Sequence, residues 1–356
     1  MRNALFALTV LTIPALAGPP PIRHVFTIIL ENKSYAETYG PNSPAPYLSK
    51  TLTAQGELLT NYYAIGHNSL DNYIALVSGQ APNSVTQSDC QIYQDFLPGS
   101  MVQVDVNGQV FGQGCVFPSA VPNIADQLAA RRFTWRAYME DMPAPCTHPA
   151  LNTLDQTQMA KVGEQYAVRH NPFVYFHSII DTPACAANDV PLTQLATDLK
   201  HYVTTPNYVF ITPNLCHDGH DTPCVDGEPG GLVSADYFLR QWVPQILNSA
   251  AYQRDGLLLI LFDEAEFGSS GGDSSACCNE LPGPNSPLPG IDGPGGGLVG
   301  AVVLSRFVRP GTVVTTPYNH YSLLRSVEDI FGLDHLGFAA ETGTSSFGLD
   351  VFIPVP

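Results

Sequence analysis

The chemistry-bearing residues of this chain gather where apolar runs end. The run from His24 to Leu30 stops at Glu31-Asn32, and the run from Gly256 to Phe262 stops at Asp263-Glu264. A third, Tyr208 to Thr212, leads into Pro213-Asn214 and then His217-Asp218-Gly219-His220-Asp221. Two carboxylates from one run and one from another, with the Asn32 amide beside them, suit a single divalent cation of hard or borderline character. A fourth segment, His67-Asn68-Ser69-Leu70-Asp71-Asn72-Tyr73, opens a helical pattern. A serine at such a place is most often a cap, yet the same helix end favours a phosphate. Beside a divalent cation, that hydroxyl could ionise and attack phosphorus. His217, His220 and Asp221 share a short segment between Cys216 and Cys224, and His320 precedes a further helical pattern. These imidazoles are open to ligand, acid/base or capping roles. His24, His148, His170, His177, His201 and His335 read as structural or surface residues.

Positioning such groups requires strands that end together. Short continuous apolar runs read as strands buried on both faces, as in parallel sheets, and ligands bind outside the carboxyl ends of those strands. Further strands are expected over 133–138 and 298–304, and helices over 45–56, 72–79, 123–131, 235–247 and 321–330. The alternation gives an α/β fold, a three-layer α/β/α sandwich with a mostly parallel central sheet. Residues 83–120, rich in Gln, Ser and Gly, read as a disulfide-pinned insertion, and 266–297 as a site-lining loop. Neither a repeat nor a linker interrupts the pattern, so residues 18–356 form one domain.

Residues 1–17 carry a basic start, a short apolar stretch and Ala15-Leu16-Ala17, the pattern of a signal peptide rather than a membrane span. The expected location is therefore secreted or periplasmic, with no stable membrane anchor. A formal net charge of −17 argues against nucleic acid as partner, and it would repel an anionic substrate unless local cations reverse the field. Eight cysteines in an exported chain imply disulfides. Proximity favours Cys90–Cys115 and Cys216–Cys224, then Cys146–Cys185. Cys277 and Cys278 form a vicinal bridge or pair elsewhere.

The ordered set Glu31-Asn32-Lys-Ser-Tyr35, His67-x-Ser69-x-x-Asn72-Tyr73, Thr-Pro-Asn214 with Asp218-x-His220-Asp221, Phe262-Asp263-Glu264 and Tyr318-Asn-His320-Tyr resembles the bacterial and fungal phosphoesterase family. That family holds acid phosphatases and phosphatidylcholine-type phospholipases C, and the likeness spans nearly the whole chain. The resemblance implies an alkaline-phosphatase-like fold, one divalent metal ion of unspecified identity, and a phosphate-ester substrate. By position the metal ligands fall on Glu31, Asn32, Ser69, Asp263 and Glu264, although some members have aspartate where Glu264 stands. Ser69 is then the nucleophile of a phosphoserine route, His220 or His320 protonates the leaving alcohol, and Asn72 donates to a phosphoryl oxygen. His67, Asn214, His217 and Asp221 are expected to contact substrate. The chain is expected to lack the C-terminal extension of the phospholipases, which favours the acid-phosphatase branch. Phosphomonoesters are expected to be hydrolysed best at acidic pH, where His217, His220 and His320 would be protonated. The alternatives are a phosphocholine phosphodiesterase and a non-catalytic metal- or phosphate-binding protein. The Cys/Ser-x-Pro-x-Arg signature of a sulfatase is absent.

Overall fold

The computed structural model describes residues 19–99, 102–267 and 272–354. The expected signal segment lies outside them. In chain order the elements that matter for the site are β1 (His24–Leu30), β2 (Glu57–Leu59), α1 (Ser69–Ser78), α2 (Ile124–Ala130), β3 (Trp135–Met139) and β4 (Asp189–Pro191). They continue with β5 (Tyr208–Thr212), α3 (Gly231–Leu247), β6 (Gly256–Phe262), β7 (Ala301–Ser305), β8 (Thr312–Val314) and α4 (His320–Phe331).

The eight strands form one sheet in the order β8-β2-β7-β6-β1-β5-β3-β4. Every residue of β1, β5 and β6 is buried, which is why these runs are apolar throughout rather than alternating. The helices α1, α2 and α4 pack on one another, while α3 packs with the turn at Tyr47–Leu52 and the short helix Ala250–Asp255. The result is the expected α/β/α arrangement. All strand pairings are parallel except the two made by β7, which runs antiparallel to both β2 and β6.

Several boundaries differ from those expected. The strand placed at 298–304 begins at Ala301, because Val299 and Gly300 instead donate their N–H groups to Tyr62 O. The helix placed at 72–79 begins at Ser69, one residue after Asn68 leaves the helical region at φ 71°. The helix placed at 235–247 starts four residues earlier, after Gly230 at φ 69°. Part of the helix placed at 45–56 is a π-helical turn.

Disulfides join Cys90–Cys115, Cys146–Cys185, Cys216–Cys224 and the vicinal pair Cys277–Cys278. The first closes the 83–120 insertion. A two-residue parallel ribbon, Tyr62–Tyr63 with Tyr318–Asn319, ties the start of α4 to the segment that leads into α1.

Candidate active site

Strand register places the acids. Leu30 of β1 pairs with Phe262 of β6, so the next residues, Glu31 and Asp263, leave the sheet side by side. Asp263 N–H donates to Leu30 O at 2.8 Å. The loop after β5 returns across β1, where Glu31 N–H donates to Asp218 O at 2.8 Å. Glu31, Asp218, Asp263 and Glu264 are each at most 2% exposed.

Their oxygens are divided unequally. Glu31 Oε2 accepts from Ser69 Oγ at 2.7 Å and Oε1 from the Tyr73 hydroxyl. Asp263 Oδ1 accepts from the N–H groups of Asn32 (3.0 Å) and Glu264 (2.7 Å), whereas its buried Oδ2 has no partner. Glu264 Oε1 accepts from Asn32 Nδ2 at 2.8 Å and Oε2 meets His67 Nδ1. One partner on each oxygen leaves a lone pair free on both, so Glu264 orients the Asn32 amide and keeps the capacity to be a ligand itself. Asp218 Oδ2 is also buried without a partner.

Burial, then repulsion from Asp263 and Asp218, holds the Glu31 carboxyl well above its usual range. Burial likewise pushes Asp263 up to about 6 and raises Asp218 and Glu264. Arg169, the cation packed nearby, is committed to Asp89 at 3.6 Å. A crowd of buried acids with an orphaned oxygen fits a divalent cation, with Asn32 Oδ1 and Ser69 Oγ as neutral donors beside Glu31 and Asp263. Tight His/Cys/Asp/Glu triplets occur among the described residues only around Cys216, whose sulfur is in a disulfide. The strand-end carboxylates are spaced more openly, which is consistent with a mixed oxygen set.

Ser69 opens α1 from a strained approach. Asn68 sits at φ 71° and Asn32 at φ 51°, left-handed backbone that asparagine tolerates better than most residues. Gly66 has no room for a side chain, since a Cβ would lie 2.5 Å from Asp71 Oδ2. Asn72 braces this turn: its Oδ1 accepts from Ile65 N–H (2.9 Å) and Gly66 N–H (3.0 Å), and its Nδ2 donates to Gly66 O. With both ends engaged it positions Ser69 and is not placed to donate to a phosphoryl oxygen, contrary to expectation.

The histidines divide by burial. His320 is fully buried; its Nε2 donates to Asp263 O at 2.6 Å and its Nδ1 faces the Tyr62 hydroxyl at 3.1 Å. Burial lowers its pKa to about 4. A neutral ring bonded on both nitrogens cannot protonate a leaving alcohol, so the expected acid role is corrected to one of fixing the Asp263 backbone. His67, also held down to about 4 by burial, uses Nδ1 on Glu264 and Nε2 against Asp273 O, and does not reach substrate space. His170, which reads from the sequence as structural or surface, also belongs to this cluster. It stacks on Tyr73, with Nε2 at 3.4 Å from Glu31 Oε2 and Nδ1 at 3.7 Å from Asp218 Oδ2. Burial holds it neutral, and both its nitrogens lack a hydrogen-bond partner. It sits in a 3₁₀ turn, Val168–His170, where no strand end signalled it.

The loop closed by Cys216–Cys224 carries the remaining candidates. Asn214 caps it internally, accepting from Cys216 and His217 N–H and donating to Asp141, so it supports the loop rather than a substrate. His220 is the exposed imidazole here, with Nδ1 at 3.3 Å from Asp221. His217 is clasped by Glu140 (3.0 Å) and Glu228 (3.4 Å). Burial alone would lower its pKa, but the two carboxylates outweigh it and raise the value to about 9. The imidazolium therefore contributes stability that is complete below pH ~6.5 and lost as pH rises through about 9. Denaturant midpoints are expected to fall between pH 7 and 10, and His217→Gln should flatten that slope. An unchanged slope in the variant would remove His217 as its cause.

Comparison with known proteins adds a family. The phosphoesterase family matches residues 42–334. A probable acid phosphatase from Kluyveromyces lactis is 28% identical over 315 residues, 88% of this chain and 59% of that protein. A phosphatidylinositol-3-phosphatase from Mycobacterium tuberculosis is 26% identical over 325 residues, covering 91% of this chain and 82% of that protein. The chain spans little more than half the length of the fungal relatives it matches. In fold, a phosphonate monoester hydrolase from Silicibacter pomeroyi aligns at TM-score 0.52 and 10% identity, over 94% of this chain and 77% of that one.

Proposed function

From the premise that this chain belongs to the phosphoesterase family, we propose that it hydrolyses phosphomonoesters with Ser69 as nucleophile. The observation that carries this reading is the 2.7 Å hydrogen bond from Ser69 Oγ to Glu31 Oε2, made beside the unpartnered Asp263 Oδ2 at the ends of two paired strands. Ser69 Oγ attacks phosphorus in line while Glu31 takes its proton. The P–Oγ bond forms, the bond to the alcohol oxygen breaks, and His220 supplies the proton that this oxygen gains. Water then cleaves the phosphoserine, regenerating the serine and releasing phosphate. A divalent cation held by Glu31, Asn32, Ser69, Asp263 and Glu264 would neutralise the nucleophile and the phosphoryl oxygens. Asn72, Glu264 and His320 hold these groups in place.

Of the imidazolium support expected from His217, His220 and His320 for a doubly charged phosphoryl group, the part of His320 falls away, since burial keeps that ring neutral. The relatives named above as phosphatases support a monoester substrate. Four disulfides support export to an oxidising compartment, and no helix among the described residues is long and apolar enough to cross a membrane. The kcat/KM for p-nitrophenyl phosphate is expected to exceed that for p-nitrophenyl phosphorylcholine by at least about tenfold, a difference of ~1.4 kcal/mol in transition-state binding. A preference for the choline diester would establish the phospholipase reading instead.

A further inference from the structure

One of the four disulfides does not tie distant parts of the chain together. Cys90–Cys115, Cys146–Cys185 and Cys216–Cys224 span sequence separations of 25, 39 and 8, whereas Cys277–Cys278 joins neighbours. The constraint that a bridge places on the unfolded chain grows with the loop it closes, so this pair adds almost nothing to stability by that route. Its exposure differs as well. Each of the other three bridges has at least one cysteine no more than 4% exposed, while Cys277 and Cys278 are both only half-buried. Cys278 also lines a cavity of about 240 Å³, shared with Glu280 and Asn319. A small thiol needs only a few times the ~30 Å³ of a water molecule and fits there.

The pair stands on a segment that supports the site. Cys278 (φ 66°) and Asn279 (φ 55°) both adopt left-handed backbone, and the turn closes with Glu280 N–H on Cys277 O at 3.1 Å. Cysteine adopts that region rarely, so the ring through the two sulfurs fixes a turn that a free pair would relax. The turn aims Glu280 at Asn319, whose Nδ2 donates to Glu280 Oε2 at 3.3 Å. Asn319 caps α4 by accepting from Ser322 N–H at 3.0 Å, and His320 beside it donates to Asp263 O. Cys277 Sγ lies 3.3 Å from Tyr318 O, so a thiol formed there has an acceptor in place.

We propose that Cys277–Cys278 is a thiol-reactive modification site, and that opening it loosens the hold of Asn319 and His320 on the Asp263 strand end. The reagent class is a small aliphatic thiol. Its thiolate attacks Cys278 Sγ from the cavity and the S–S bond breaks. The electron pair leaves on Cys277 Sγ, which takes up a proton and donates to Tyr318 O. A second thiolate attacks the reagent sulfur of the mixed disulfide and releases Cys278, which is protonated in turn. The chain thus gains two electrons and two protons, and the two reagent thiols lose them and end as a disulfide. The effect on turnover rests on the phosphomonoesterase reading; the modification itself does not.

2-Mercaptoethanol is the probe, being uncharged and therefore not repelled by a chain of net charge −17. The full-length protein, with divalent cation supplied, is titrated with it, alkylated and read by peptide mass spectrometry beside kcat/KM for p-nitrophenyl phosphate. Cys277 and Cys278 are expected to be alkylated ahead of the other cysteines. In step with them kcat/KM should fall by about fivefold and return on reoxidation, somewhat less than the ~10-fold or greater cost of removing a direct support of a metal ligand. Cys277→Ser/Cys278→Ser should start at the lowered value and not respond over that range of thiol, which separates the switch from extraction of the cation by the thiol. Glu280→Ala should reproduce the fall with the disulfide intact. Another disulfide opening first, or parental kcat/KM with this pair open, overturns the inference, and a parental rate in Glu280→Ala overturns the route through Asn319. Should the double variant not fold, the titration of the parent decides alone. A parent that releases no phosphate from p-nitrophenyl phosphate strikes the underlying reading instead, and the order of alkylation still tests the modification site.

Discussion

Ser69→Ala is expected to fold like the parent and to lose turnover on the order of a thousandfold or more. The substitution removes one hydroxyl and one hydrogen bond, that from Oγ to Glu31 Oε2, while Tyr73 still donates to Glu31 Oε1. Losing a single buried hydrogen bond costs about 1 kcal/mol, small beside the stability of a domain this size. Alanine also suits the first turn of α1, and the Leu70 N–H keeps its Asp89 acceptor at 3.0 Å. A large fall in kcat with a near-parental denaturation midpoint therefore isolates chemistry from folding. Acid quench of the parent with labelled ester should trap phosphate on Ser69, and the variant should trap none. Label on another residue, or rapid turnover by the alanine variant, would rule out the serine route. A direct attack by water would remain, and the short Ser69–Glu31 contact would then be only a helix-end hydrogen bond.

The parts of the fold that were legible in the sequence are those dictated by burial. Strands β1, β5 and β6 are covered on both faces, so their residues must be apolar at every position, and the first polar residues mark the strand ends. Strand direction is a different matter: the apolar run of β7 looks the same read either way, and its antiparallel course follows from the path of the chain between β6 and β2. Site residues followed the same division. Glu31 and Asp263 were visible because they end buried runs, whereas His170 reaches Glu31 only through tertiary packing on the Tyr73 ring. Asn72, Asn214 and His320 stand at the site or its loop, but the roles expected of them are not those of the structure. A sequence shows which residues carry polar atoms and cannot show which atoms are already bonded. In each of these three, Gly66 O, Asp141 and Asp263 O take the side-chain N–H that the expected role required.

That distinction makes Asp263 the sharpest test of the cation. Its Oδ1 accepts two backbone N–H groups, which an asparagine Oδ1 would also accept, while its Oδ2 is buried with no partner at all. Asp263→Asn therefore preserves the structural half of the side chain and replaces only the unexplained half, exchanging an anionic oxygen for an NH₂ group. An unpaired buried carboxylate is costly, so the metal-free variant is expected to be at least as stable as the metal-free parent. Binding should differ in the opposite sense. Adding a divalent cation to the chelator-treated parent is expected to raise its unfolding midpoint, because a ligand that binds only the folded state stabilises it in proportion to the logarithm of its concentration over Kd. The variant should show little or no such rise, should purify with less than stoichiometric metal, and should lose kcat/KM on the order of a hundredfold or more. Neither isolated repulsion among acids nor a purely structural Asp263 gives this combination, since either would let the amide variant gain stability without losing activity. Stoichiometric metal and parental activity in Asp263→Asn would remove Asp263 from the ligand set. The orphaned oxygen would then be accounted for by protonation, which burial already favours by lifting the carboxyl to about 6.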